Sequence, residues 1–417
     1  MRKNIIYLFF IATIFSACSS YNMLTNQNMA YIYDSAKIRI YPAYNIFHYS
    51  DSLSILNFKV NSDDLLYVKL PKENNYTAHF KLTYLLYSSI SSKEKSVIDS
   101  ATIAYLDSNN FKKSKSIINS INIKAKVNNS YFLKLVLTDL NRNESIESYV
   151  FINKNSKNNQ NNFQVLDSDE QLIFQSNIEK GQSFKIKFND RNKKKLWVKY
   201  YKPNFPIATP PFSINPEKST VVISDSSFQI ELKEGETDYL QLKKFGIYHF
   251  QADSTNKEGL TLFRFYNDFP KIITPENMLA TIRYLTTQQE YDKMLFMKEK
   301  KEALDKFWLE IAGNPERATE LIKKYYNHVQ DANKFFSSYL EGWKTDRGIV
   351  YIIYGPPNTV YLSQNKEVWI YGEARNIRSV TMNFYKVENP FSENDYILEK
   401  SPMYKDSWFN SIDLLRR

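Results

Sequence analysis

The sequence predicts a mainly β protein with an α+β C-terminal part: two Ig-like β-sandwich domains, then a helical segment and a small β-sheet. Three observations predict it. Apolar residues alternate at period two through most of residues 31–266, the pattern of half-buried strands. After about residue 270 the spacing changes to three and four, the pattern of helices packed on one face. Polar turn clusters such as Asp107-Ser108-Asn109-Asn110 and Asn128-Asn129-Ser130 cut the β region into short strands.

The chain opens with Met1-Arg2-Lys3-Asn4, a short basic start, followed by one apolar run from Ile5 to Phe15. That run has the length of a signal-peptide core and is too short to span a bilayer. Phe15-Ser16-Ala17-Cys18 then resembles the bacterial lipobox, in which the cysteine is lipidated and becomes the first mature residue. Cleavage into a free soluble protein would want small residues at −1 and −3, and Phe15 does not fit. Residues 1–17 are therefore expected to be a lipoprotein signal peptide, Cys18 the lipidation site, and 18–30 a lipidated polar tether. Acyl chains would then hold the protein to a membrane without a spanning helix. Surface-displayed lipoproteins of Bacteroidetes carry acids directly after this cysteine. Here none occurs before Asp34, so a periplasm-facing position on the outer membrane is expected.

Residues 31–155 are expected to form the first sandwich. Phe80, Leu82, Tyr84 and Leu86 mark one strand, and Tyr131, Leu133, Leu135 and Leu137 another. Asn153 to Asn162 is almost wholly Asn, Lys, Gln and Ser, which reads as a linker or long loop that cannot order itself by burying apolar surface. Residues 163–266 form the second sandwich, with Phe184, Ile186 and Phe188 alternating, then Phe228, Ile230 and Leu232, then Gly246 to Asp253.

Residues 270–417 form the helical and β domain. Thr274-Pro275 is an N-cap followed by proline at the first helical position. Thr287 and Glu290 make a capping box. Gly313-Asn314-Pro315 ends one helix and starts another, whose stripe includes Leu321, Tyr325, Val329, Ala332 and Phe336. Ile349–Tyr354, Glu367–Tyr371 and Val380–Tyr385 read as strands.

Composition narrows the function. After Cys18 no thiol remains, which removes disulfides, thiolate metal sites and a cysteine nucleophile. The net charge of +10 comes mainly from scattered lysines, so no nucleic acid is expected as partner, and lipopolysaccharide or another acidic polymer suits it better. The four histidines, His48, His79, His249 and His328, form no H-E-x-x-H or close pair, so neither a metal nor another cofactor is implied. No G-x-S-x-G, P-loop or dinucleotide fingerprint occurs. Asp63-Asp64 and Asp167 to Glu170 lack the ligand rhythm of a calcium loop.

One motif is sharp. Gly342-Trp343-Lys344-Thr345-Asp346-Arg347-Gly348 precedes Ile349 to Tyr354 and then Gly355-Pro356-Pro357. With Phe307-Trp308, Tyr325-Tyr326, Asn333 to Phe336 and Glu367 to Tyr371, this stretch resembles the GWxTD domain, a C-terminal module of envelope proteins found mainly in Bacteroidetes. The resemblance spans about residues 287–390. It implies an envelope setting and carries no assigned reaction. From the residues alone the motif reads as structural. Gly342 would take positive φ past a helix end, Trp343 would cover a helix-to-strand junction, and Thr345 and Asp346 would accept turn N–H groups. Gly348 would end the turn, Arg347 would pair with Asp346 or a nearby acid, and Gly355-Pro356-Pro357 would stop a strand. The competing reading puts Asp346 and Arg347, near Tyr354 and the diproline, in a binding pocket.

The expected function is a non-enzymatic outer-membrane lipoprotein: an interaction or scaffold subunit of an envelope assembly or secretion complex, with an envelope protein as partner. A second reading is a glycan- or peptidoglycan-binding lipoprotein that uses the aromatic loop Tyr200 to Phe212. A third is an enzyme centred on Asp346.

Overall fold

The computed structural model describes residues 27–69, 75–88, 97–109, 114–214, 223–373, 376 and 378–417. The leader, Cys18 and the start of the tether lie outside the described residues.

The first sandwich contains β1 (Ala43–His48), β2 (Leu53–Asn61), β3 (Val68–Lys69), β4 (Tyr76–Tyr87), β5 (Val97–Asn109), β6 (Ser116–Lys124), β7 (Ser130–Asp139) and β8 (Glu144–Asn153). One sheet runs β1-β2-β6; the other has β4 at its centre, paired with β5, β7 and β3, and β7 paired with β8. All longer pairings are antiparallel, and the expected alternation holds. Phe80, Leu82 and Leu86 from β4 and Leu133, Leu135 and Leu137 from β7 are fully buried against Leu56, Phe58 and Val60 from β2.

The second sandwich comprises β9 (Phe163–Asp167), β10 (Phe184–Phe188), β11 (Lys195–Tyr201), β12 (Ser226–Glu231), β13 (Gly246–Gln251) and β14 (Leu260–Arg264). The β9–β10 ribbon packs on a four-stranded sheet of order β12-β11-β13-β14. Strand β13 alternates as expected, yet both of its faces are buried. Its inner face joins the sandwich core. Its outer face carries Ile247 and His249, which Phe391 of the C-terminal domain covers.

The Asn-rich segment 153–162 is ordered, contrary to expectation. Its amides replace apolar burial with hydrogen bonds across the junction. Asn161 donates to Ile46 O at 3.3 Å, and Asn189 Nδ2 donates to Asn162 Oδ1 at 2.7 Å and to His48 O at 3.3 Å. Partly buried amides hydrogen-bonded in this way tie the segment to both sandwiches.

The C-terminal domain contains α1 (Pro275–Thr281), α2 (Gln288–Phe296), α3 (Lys300–Ala312), α4 (Pro315–Phe336), α5 (Asp346–Tyr354), the sheet β15 (Thr359–Leu362), β16 (Lys366–Tyr371), β17 (Val380–Lys386) and β18 (Tyr396–Leu398), and α6 (Lys405–Leu415). The strands pair in chain order, all antiparallel. The Thr274 cap and the Thr287–Glu290 capping box form as the sequence predicts, and Asn314 caps α4. Segment Ile349–Tyr354, expected as a strand, is helical. Thr345 caps it, with its Oγ1 accepting Gly348 N–H at 3.1 Å, and nearly every residue of α5 is buried. A short apolar, β-branched run fits a buried strand or a buried helix equally; the cap and the surrounding packing decide.

The tether expectation also needs correction at its end. Met29 is 1 % exposed and lies in the core of the C-terminal domain with Ala30 and Tyr33. Met29 N donates to Val360 O at 2.8 Å, and the Asn28 side chain bonds Asn358 O and Val360 N. The chain thus enters through its C-terminal domain before building the two sandwiches.

Candidate functional site

The motif occupies the connection from α4 to α5. Helix α4 ends at Phe336, and a short 3-10 turn, Gly342–Lys344, leads into α5. Gly342 does not use positive φ. It is required by close approach: a Cβ there would sit 1.9 Å from Ala332 O. Gly348 lies in the first turn of α5, not at a turn's end, and a Cβ there would be 1.8 Å from Gly342 O. The two glycines let the 3-10 turn nest against α4 and the start of α5 nest against that turn. Gly355, with φ +78°, closes α5 as its C-cap, so the Gly355-Pro356-Pro357 stop ends a helix.

The polar motif residues point inward. Thr345 Oγ1 donates to Gly342 O at 2.8 Å while capping α5. Asp346 Oδ2 accepts Leu398 N–H at 2.9 Å, fixing β18 against α5, and Lys400 Nζ lies 3.6 Å from Oδ1. Arg347 is 2 % exposed and reaches Glu367 on β16, not Asp346. Its Nη1 donates to Glu367 Oε1 at 2.8 Å and its Nη2 donates to Asn394 O at 3.0 Å. The guanidinium lies over the Tyr396 ring, 4.1 Å from its centre. Tyr33 OH also donates to Glu367 Oε1, and Trp369 Nε1 donates to Oε2, each at 3.0 Å. Burial first, and then the neighbouring Glu367 charge, push the Tyr33 phenol well above its usual range, so it remains a donor. Asp346 and Arg347 therefore do not line an open pocket. Tyr354 is half-buried and shares a 2.9 Å hydrogen bond with Ser407 of α6.

Sequence reasoning missed Asn333 as the motif's anchor. Its Oδ1 accepts Trp343 N–H at 3.2 Å, and its Nδ2 donates to Tyr266 OH at 2.8 Å and Pro270 O at 3.1 Å. It joins α4, the motif and the exit from β14. Glu367 was missed as well. The readable signal was a carboxylate two residues from Trp369 on the core face of a strand, where a charge needs a partner.

What the motif does present outward is one side of Trp343 together with Lys344. They border a cleft of about 240 Å³ shared with Glu341, Phe245, Tyr266 and Arg264. Lys344 bridges to Glu341 at 2.6 Å. Arg264 is 7 % exposed, stacks on Phe245 at 4.9 Å, and gives Nη1 to Leu242 O. The cleft joins a guanidinium to aromatic walls, with the Glu341 carboxylate also in its lining.

The aromatic loop is packed. Tyr200 and Tyr201 are buried, Phe205 meets Tyr339 at 5.1 Å, and Phe212 meets Phe409 at 5.4 Å. Ala208 N donates to Lys344 O at 2.8 Å, so the loop is strapped across the C-terminal domain. Among the described residues no three His, Cys, Asp or Glu side chains converge to hold a metal ion, and no helix is long and apolar enough to cross a membrane.

Residues 246–417 match the family model of the GWxTD domain. The match begins at the first residue of β13 and so takes in β14, Arg264 and Tyr266 along with the motif. No curated protein matches the chain.

Proposed function

We propose that this chain is a non-enzymatic envelope lipoprotein of the kind found in Bacteroidetes. In this reading it is anchored through Cys18 to the periplasm-facing leaflet of the outer membrane, and its GWxTD domain serves as an interaction or scaffold subunit of an envelope assembly or secretion complex. The observation that carries the interaction reading is the division of labour within the motif. Its polar groups are spent on internal bonds, while Trp343 and Lys344 border an open cleft beside it that Arg264 also lines. An acidic, partly apolar segment of a protein partner fits that cleft. An enzyme centred on Asp346 finds no support, because the carboxylate is buried and holds Leu398 N–H.

The docked N-terminal segment sets where such a domain would stand. Ten residue steps lead from Cys18 to Asn28, a reach of at most about 35 Å when extended. In this reading a lipid at Cys18 keeps the Asn28 end of the GWxTD domain within that distance of the membrane.

Two measurements test the reading. Palmitate labelling in cells should vanish on Cys18→Ser. A photo-crosslinker at Phe245, which is 45 % exposed, should give one discrete adduct with an envelope protein that Lys344→Glu abolishes. Adducts unchanged by Lys344→Glu, or none from intact cells, would overturn the interaction role.

A further inference from the structure

A second cleft, of about 390 Å³, opens between the two sandwiches, away from the motif. Its floor is Lys154, at the end of β8. Lys157 and Lys193 stand at its edge, with Asp51 and Asp190 as the carboxylates of the lining. Lys154 is only 4 % exposed. Its ammonium donates to Leu53 O at 2.9 Å and to Ala125 O at 2.6 Å. Both partners are neutral carbonyls. They satisfy two of three N–H bonds and leave the charge without a carboxylate in ion-pair contact among the described residues.

A buried ammonium with no counter-ion is costly, and a third donor remains to be used. Burial brings the Lys154 ammonium down to about 8, against the opposing pull of Asp51. It is therefore still mostly charged at neutral pH. His48, in the same wall, supplies no positive charge. Its ring is held by Ser54 and Asn153 O, both at 3.0 Å, and burial lowers its affinity for a second proton.

We propose that this cleft binds a small oxyanion, a carboxylate or phosphate carried on a saccharide-sized group, with Lys154 contacting it from below and Lys157 and Lys193 from the sides. Lysine cations outnumber the carboxylates of the lining, and both carboxylates are exposed at the mouth. The volume admits about one sugar ring with its charged substituent. The site is independent of the GWxTD cleft and does not require that reading to hold.

Titration calorimetry on the full chain in detergent tests it, with sodium glucuronate, inorganic phosphate and neutral glucose as probes. Glucuronate or phosphate should bind with a Kd of about 1 mM, and glucose roughly tenfold more weakly. Stronger glucuronate binding assigns a uronic-acid source, and stronger phosphate binding a phosphorylated one. Lys154→Met should weaken the preferred anion roughly tenfold. Should Lys154→Met fail to fold, the edge pair Lys157→Gln/Lys193→Gln must still weaken binding about threefold with an unchanged melting temperature. No heat from either anion at about 20 mM, or affinities untouched in the edge pair, would overturn the proposal.

Discussion

Arg347 of the motif and Glu367 of β16 are joined by a 2.8 Å ion pair with both side chains inside the C-terminal domain. Three parts of the chain converge on that one carboxylate: the N-terminal segment through Tyr33, the motif through Arg347, and the sheet through Trp369. Both oxygens of that carboxylate are engaged, Oε1 by Tyr33 and Arg347 and Oε2 by Trp369. Its removal takes the charged partner from a buried guanidinium and an acceptor from a phenol and an indole together.

Glu367→Gln should therefore be strongly destabilising. Breaking one side of a buried pair costs about 3–5 kcal/mol, because the remaining charge has no solvent to fall back on. Denaturant unfolding of the full chain should show the loss in the transition of the C-terminal domain. The exposed Lys301–Asp305 pair on α3 offers the contrast: Asp305→Ala should change stability by at most about 0.5 kcal/mol. A shift for Glu367→Gln as small as that would show that the pair is not a structural tie.

The motif glycines should divide from an ordinary one. Gly342→Ala and Gly348→Ala each place a Cβ within 2 Å of a backbone oxygen, so the turn, α4 and α5 must separate. Both variants should lose the C-terminal transition or lower its melting temperature steeply. Gly313 caps α3 at φ +78° but has nothing within 4 Å of its Cβ position. Gly313→Ala should cost only about 1 kcal/mol of backbone strain. Equal losses at all three positions would remove the close-approach explanation.

The first described residues should behave as part of the last domain. Tyr33→Phe removes a hydrogen bond to a charged acceptor and should cost about 1–3 kcal/mol. Deleting residues 27–33 should cost more, since Met29 leaves the core and the β15 edge loses its Val360 contact. The readout is protection of Val360 and Tyr351 amides in hydrogen exchange. Unchanged protection in the deletion would mean that the segment lies on the domain without supporting it.

Where the sequence was legible, period and cap chemistry set the local structure. The alternation of Phe80 to Leu86 and the Thr287–Glu290 box each specify one outcome. Segment Ile349–Tyr354 was not legible, because a buried element shows no polar face to reveal its period. The N-terminal docking was hidden for another reason. Met29 and Tyr33 meet Val360 and Glu367 across more than 300 residues, and no short-range pattern encodes such a partner. That Thr345 accepts a turn N–H was readable, whereas the close approach that Gly342 and Gly348 allow was not, nor the partner of Arg347, since several acids lie near enough in sequence to compete. The Asn-rich run misled because composition measures apolar burial and ignores amides that find carbonyls.

Acid should weaken the second sandwich before it reaches the carboxylate range. His249 is 1 % exposed; one ring nitrogen faces Lys257 O and the other the Thr261 hydroxyl, each at 2.9 Å. A carbonyl can only accept, so Nε2 carries the proton, and Nδ1 shares its hydrogen bond with the Thr261 hydroxyl. Burial accordingly pulls the folded imidazole from its ordinary 6.5 down to about 4. Between those values the unfolded chain binds the extra proton and the folded chain does not, so stability falls as pH drops from 6.5 towards 4. The loss approaches roughly 3 kcal/mol at the bottom of that window, and His48 acts in the same direction. Glu290, held near 2 first by its Arg416 hydrogen bonds, adds its own loss only below its ordinary 4.5. Denaturant midpoints at pH 7, 6 and 5 should therefore decline steadily, and His249→Gln should flatten that slope even if it lowers the midpoint throughout. A slope in the variant as steep as in the parent chain would assign the acid sensitivity elsewhere.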